Sequence, residues 1–438
     1  MPGVRVAVLG GGVSGCSSAL QLSKLGYCVS LFEMGRGCGG RASTRRTRSQ
    51  PNMAVNHGTP SFDVRTDRGC EIVEGLETAG YVKEYSGVRG ILSAANGFKK
   101  IPVEPGTHFV GCSPGDGGGM SGACEGLLQE ARKIENPVDC HYGKMVHTLV
   151  PTLEKDGTVN GWSLFDKDGS SLGGDGSENQ EGSDVGLFDW LVVAGSGIAH
   201  PRWKKTFGYD APLLAAVSKL ETSGRYTDDK LKKSLKAIAA QDAKPCLVAM
   251  AYAAALPGEK NENGAASQWD KALPFDLAWV LEDEVVQKVS VQRDADGHGG
   301  IALCVHSTAA YAREATATFG KTSTAARIGG ANTSAEIEAE QISTITAALE
   351  HLLRGDGCPA EISPSFSFTS SCTWGPHLHR WGNCEPTNDA LAAEDAVAPQ
   401  SRVAFCGDYV ETGARMGSVE AALLSGDLVA HEIHEASS

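Results

Sequence analysis

Positive charge is scarce in this chain: 39 Lys and Arg stand against 53 Asp and Glu, a formal charge of -14 over 438 residues. Such a field repels a phosphate backbone, so no nucleic-acid partner is expected. No apolar run approaches the ~18 residues of a membrane-spanning helix. Met1-Pro2-Gly3 leads straight into a predicted strand, without the charged region, apolar stretch and cleavage site of a secretory leader. A soluble, unprocessed, cytoplasmic protein is expected, with no membrane partner and an organelle left open. Paired cysteines are missing too. The 13 cysteines, from Cys16 to Cys406, are odd in number and include no CxxC, which fits neither a disulfide framework nor a zinc ribbon and points to a reducing compartment.

Glycine, by contrast, is abundant: 54 residues, about 12% against a usual ~7%, suiting tight turns and close backbone approaches. At ~150 residues per domain the length allows one large α/β domain or two to three smaller ones. Residues 4–9 form an apolar run ending in glycines, 13–25 are predicted helical, and 27–32 are a second strand ending at Glu33. This order opens a doubly wound sheet. Further strands are predicted at 138–150, 162–165 and 188–194, and the Gly/Ser-rich acidic stretch 168–184 is expected to be a flexible insertion. From about 201 to 379, helices at 226–240 and 334–354 mix with strands at 246–253, 277–281 and 301–306, which suggests a second domain. Residues 320–333 read as a loop, and a strand at 402–406 with a helix over 416–432 returns to the first domain.

Gly10-Gly11-Gly12-Val13-Ser14-Gly15 satisfies GxGxxG, where Gly10, Gly12 and Gly15 permit a tight turn and the Val13 and Ser14 amides can meet a pyrophosphate at a helix N-terminus. Glu33 follows Gly10 by 23 residues, the place of an acid that accepts ribose hydroxyls. Were the ligand a nicotinamide, that acid would favour NAD over NADP. Gly35-Arg36-Gly37-Cys38-Gly39-Gly40-Arg41 adds a second glycine cluster, with Arg41 suited to neutralise a pyrophosphate or hold the loop.

GxGxxG, Glu and GxGGR together resemble the N-terminal pattern of FAD-binding amine-oxidase-like flavoproteins. Arg41-Ala42-Ser43-Thr44-Arg45-Arg46 is similar to the GGRxxTRR signature of the renalase-like branch. Asn56-His57-Gly58-Thr59-Pro60-Ser61-Phe62 resembles that branch's DHGAQYF, with Asn for Asp and Pro-Ser for Gln-Tyr. His379-Arg380-Trp381 is similar to its RW pair, and Gly407-Asp408 to its C-terminal flavin motif. The resemblance implies a Rossmann-like, doubly wound FAD-binding domain over 1–70, 105–200 and 395–438, with an α/β substrate domain over 71–104 and 201–394.

The resemblance further implies FAD as cofactor, with Gly40 and Arg41 among its binding residues, Val146 at adenine, and Asp408, after Gly407, on the sugar chain. Ser418 and Val419 would open a helix aimed at the flavin N1/O2 edge. His379 and Trp381 would line or support the flavin's substrate face, and His57, His379, Arg380 and Trp381 are the catalytic candidates. The implied reaction is hydride transfer from a small-molecule substrate, a dihydronicotinamide isomer, to flavin N5, with O2 as the acceptor.

Two alternatives stay open: a flavin amine oxidase using rings such as Tyr252, Tyr311, Trp374, Trp381 and Tyr409, and a non-catalytic flavin-binding scaffold acting through the acidic insertion. The run from Cys372 through His377 and His379 to Cys384 can be drawn as a zinc site, but its C-x4-H-x-H-x4-C spacing is unusual and no metal is expected. Cys406 can be drawn as a covalent flavin link, although a small buried strand residue is the simpler reading. The sequence gives no oligomeric state.

Overall fold

The apolar run after Val4 forms the strand Arg5–Leu9, which shows no alternation of buried and exposed residues because both its faces are covered. In this computed structural model, which describes residues 3–114, 118–172, 187–222, 224, 226–254, 265–293, 300–354 and 367–438, the strand lies inside a six-stranded sheet. The sheet order is 139–142, 28–33, 5–9, 190–194, 403–406 and 397–398. All neighbours are parallel except the last pair. The helix Val13–Lys24 is buried from Val13 to Ser23, because the sheet, the helix Ser121–Arg132 and the C-terminal helix Val419–Ser437 surround it. Small residues make this possible, and Ser17 Oγ donates to the Leu423 carbonyl at 2.7 Å. The fold is thus mixed α/β with a Rossmann-like unit.

A seven-stranded sheet forms the second layer, in the order Trp374–Pro386, Ala243–Ala253, Ile301–Ser307, Val286–Arg293, Leu277–Val280, Arg89–Ser93 and Gly97–Lys100. It is antiparallel apart from the 277–280 and 89–93 pair. One face packs on the helix Ala335–Leu353 through Ile342, Ile345 and Leu349. The other receives Met53 and Val55 from the strand Gln50–Asn56, so the segment after Asn56 starts beside this sheet. No helix among the described residues is long and apolar enough to cross a membrane.

Several boundaries differ from the sequence expectation for local reasons. The single strand predicted over 138–150 is two, because the Gly143 and Lys144 amides donate to the Gly35 and Glu33 carbonyls at 2.8 and 3.0 Å. Asp139–Tyr142 joins the parallel sheet and Thr148–Leu153 an antiparallel one. The strand predicted over 188–194 breaks at Asp189, whose carboxylate accepts the Arg5 amide at 2.7 Å. The last helix begins at Val419 rather than 416, since the Ser418 hydroxyl caps it by accepting the Ala421 amide at 3.0 Å. Within the predicted loop 320–333, Thr324–Arg327 makes one helical turn capped by Ser323. Of the acidic insertion, 171–172 pair with the strand Val159–Phe165, while 173–184 lie outside the described residues.

Candidate functional site

A cleft of about 800 Å³ runs along the carboxyl ends of the central parallel strands and up to the second sheet, within the ~300–1,000 Å³ of small-molecule and cofactor sites. Its floor starts at the first glycine turn. Gly10 has φ +116, and a Cβ there would lie 2.6 Å from the Ala194 carbonyl oxygen. A Cβ on Gly15 would come within 1.9 Å of the Gly10 carbonyl oxygen, so only glycine lets the helix start this close to the sheet. Gly10, Gly12, Val13 and Ser14 line the cleft, and the helix N-terminus at Gly12 carries no side-chain cap. Gly15 lies behind them as a packing residue.

Glu33 borders the same end of the cleft. Its carboxylate accepts the Gly11 amide at 2.7 Å and the Gly35 amide, tying both glycine loops together. Burial pushes its pKa up and these two bonds pull it back. A carboxylate offers about four acceptor positions, so two remain for a ligand. Val146 and Gly40 complete this end.

Farther along, Arg41 and Asp408 form a two-point ion pair, with Nη1 to Oδ2 at 2.7 Å and Nη2 to Oδ1 at 2.6 Å. Arg41 Nη1 also reaches the Cys384 carbonyl at 3.0 Å. Gly407, Asp408, Ser418 and Val419 all line the cleft, which places the N-terminus of the last helix there.

The far wall comes from the strand Trp374–Pro386. Its register sets His379 opposite Val248 and Trp381 opposite Cys246, on the face that packs with Met53 and Val55. Arg380 also belongs to the cleft lining, but its guanidinium lies on the other face of the strand and donates to the Ala312 carbonyl at 2.9 Å. Trp381 Nε1 donates to the His57 carbonyl at 3.1 Å, the two rings stack at 5.3 Å, and His379 meets Trp381 at 4.2 Å. Burial, with Arg45 adding repulsion, lowers the His57 pKa to about 3. Burial likewise takes His379 well below its ordinary value, with His57 and Arg45 adding to it. Both imidazoles are therefore neutral, and the Nδ1 atoms of both are buried without a partner, as is the Tyr409 hydroxyl.

The family-like segment 56–62 reaches this wall through His57, while its departures serve the fold. Asn56 Oδ1 accepts from Thr44 Oγ1 and the Met120 amide at 2.8 and 2.9 Å, and Ser61 Oγ meets His108 Nε2 at 3.0 Å. Sequence motifs did not single out Trp203, Phe207, Phe319, Arg327 or Cys384 as cleft residues, yet all five line it. Most come from short helices and loops that carry no periodic signal. Among the described residues, no group of three or more His, Cys, Asp or Glu side chains could hold a metal ion.

A family model described as an NAD(P)-binding Rossmann-like domain matches residues 8–69. Among solved structures, an oxidoreductase from Methanosarcina mazei is 12% identical, with 98% of this chain and 100% of that chain covered and a TM-score of 0.51. A redesigned double mutant of putrescine oxidase is 13% identical, with 99% of each chain covered and a TM-score of 0.51. CtdE in complex with FAD and a substrate is 13% identical, with 98% of this chain and 80% of that chain covered and a TM-score of 0.50. At such identities the likeness is one of fold.

Proposed function

We propose that the chain is an FAD-dependent oxidoreductase of the renalase-like, amine-oxidase-related group, taking hydride from a dihydronicotinamide isomer with O2 as acceptor. The observation that carries the cofactor is the convergence of an uncapped glycine-bounded helix N-terminus, Glu33 and the start of the last helix on one cleft. CtdE, which shares the fold, holds FAD in its crystal structure and supports the same reading. Gly10, Gly12, Val13, Ser14 and Gly40 would hold the pyrophosphate, the open acceptor positions of Glu33 the ribose, and Val146 the adenine. Asp408, held rigid by Arg41, would take the sugar chain, and the amides after Ser418 the flavin edge. Bound there, FAD would supply a two-electron, hydride-accepting centre that O2 can reoxidise.

The protein's part is to bind and orient. Loss of hydride from a dihydropyridine needs no base, and the neutral His57 and His379 rings suit a site where no proton is moved. Both rings line the cleft, where they offer an uncharged surface to the donor's ring. Arg36, Arg45, Arg202, Arg327, Lys144 and Lys205 line the cleft of a chain whose net charge is -14. That local field favours a dinucleotide phosphate. Arg380, turned away onto Ala312, would act as a positioning residue for the strand that carries Trp381.

Amine oxidation is the second reading, and the ring wall of Trp381, His57 and His379 favours it, while the basic lining opposes an ammonium substrate. An oxygen electrode separates the two. O2 uptake with dihydronicotinamide isomers and none with mono- or polyamines supports the proposal; the reverse pattern replaces it with the amine oxidase.

A further inference from the structure

Two described cysteines line the cleft: Cys38 is buried, whereas Cys384 is half-buried. It sits in an irregularity of the strand Trp374–Pro386, where the register to the neighbouring strand shifts between Lys244 and Cys246. Cys384 packs on the apolar cluster that contains Cys246. Its carbonyl accepts from Arg41, so a guanidinium lies beside it. The Cys246 thiol donates to the Leu247 and Ser307 carbonyls at 3.4 and 3.5 Å; its proximity lowers the Cys384 pKa, with burial opposing and Lys288 and Arg41 assisting, while Cys246 itself is pushed up. Cys304 and Cys406 show the opposite environment, buried and driven to about 12. Partial exposure together with nearby cations is the setting of reactive thiols.

We propose that Cys384 and Cys246 form a redox pair, a nucleophilic thiol on the cleft wall and its resolving partner on the adjacent strand, with peroxides as the substrate class. The Cys384 thiolate attacks one peroxide oxygen, forming S–O and breaking O–O, and hydroxide leaves. The Cys246 sulfur then attacks the Cys384 sulfur, forming S–S and breaking S–O, and the departing oxygen leaves with the thiol proton as water. Two thiols lose two electrons and one H2O2 becomes water and hydroxide. The O2 half-reaction proposed above is one source of peroxide on this wall, but the pair itself needs only a peroxide. Because the Cys384 carbonyl holds Arg41, which holds Asp408, the bridge would be felt where the cofactor sugar chain is proposed to bind.

The test is made on the wild-type protein as isolated, treated with limiting H2O2, alkylated and mapped by peptide mass spectrometry. The expected result is a linked peptide joining Cys384 and Cys246 before the exposed Cys28 and Cys70 are oxidised. Full alkylation of Cys384 after peroxide, or a bridge appearing first between any other two cysteines, overturns the proposal. In Cys246→Ser the Cys384 sulfenic acid should persist and be trapped by dimedone, and a folded variant with no adduct also counts against the pair. If that variant does not fold, the wild-type map decides alone. Because the peroxide is added, the outcome does not depend on flavin turnover, which is scored separately by the oxygen electrode.

Discussion

Glu33 bears on two functions at once, since it joins two glycine loops and is proposed to meet the ribose. Replacing it by Ala removes the acceptor of the Gly11 and Gly35 amides. Each hydrogen bond to a charged group is worth about 1.5–3 kcal/mol, so FAD retention should fall by about tenfold or more, read as the ratio of flavin to protein absorbance after gel filtration. Undiminished occupancy would place the ribose elsewhere. His57 makes a pH prediction. Its folded pKa of about 3 lies below the ordinary 6.5, so above 6.5 both states are neutral and no linkage arises. Below 6.5 the unfolded ring binds a proton that the folded ring refuses, and stability falls by about 1.4 kcal/mol per pH unit per imidazole until about pH 3. His379 and His306, also lowered by burial, add in the same direction. In urea unfolding, His57→Gln should therefore lose less stability than wild type between about pH 6.5 and pH 5. Equal losses would mean that the ring is not buried neutral.

The helices Val13–Lys24 and Val419–Ser437 cross so closely that a Cβ on Gly426 would lie 2.4 Å from the Ser14 carbonyl oxygen. Both helix starts open on the cleft, so Gly426→Val should separate them, costing about 1–3 kcal/mol as overpacking and weakening FAD retention as well. A lowered Tm with full flavin occupancy would uncouple this crossing from the site. The same helix carries Glu420, whose Oε1 accepts the Arg65 and Thr66 amides and the Thr66 hydroxyl at 2.7–2.8 Å. Glu420→Ala should destabilise the protein by about 2–4 kcal/mol, as charge-assisted bonds of this kind do, with a thermal melt as the measure. The first glycine turn and Glu33 were legible in the sequence because their geometry spans one strand and one helix. Arg41 with Asp408, 367 residues apart, and Trp381 with His57, 324 apart, were legible only as separate family-like fragments, since nothing local encodes their meeting. The face of Arg380 was hidden for a related reason: alternation tells that Arg380 opposes its neighbours, but only the register with Ala243–Ala253 tells which face is the cleft. The break at 143–144 turns on Gly143, at φ +69, a turn signal that the apolar flanks masked, and the break at 189 is made by the Asp189 carboxylate holding the Arg5 amide.

Across the whole molecule the charge is uneven, a chain of net charge -14 with guanidinium and ammonium groups gathered on one cleft. Salt screens such a field within a Debye length of ~10 Å at 0.1 M, so KM for a dinucleotide donor should rise with ionic strength while kcat holds. A KM indifferent to salt would remove the electrostatic argument for a phosphate-bearing donor. The two sheets meet at this cleft, one bringing the glycine turn and Asp408 and the other the ring wall, and a flavin is proposed to bridge them. The most direct measurement is the visible spectrum of the purified protein mixed anaerobically with dihydronicotinamide isomers. The expected result is a flavin band that bleaches rapidly with the isomers and stays unchanged with ordinary NAD(P)H. A band that no dihydronicotinamide bleaches, or a protein with no flavin band even after reconstitution with FAD, would contradict it.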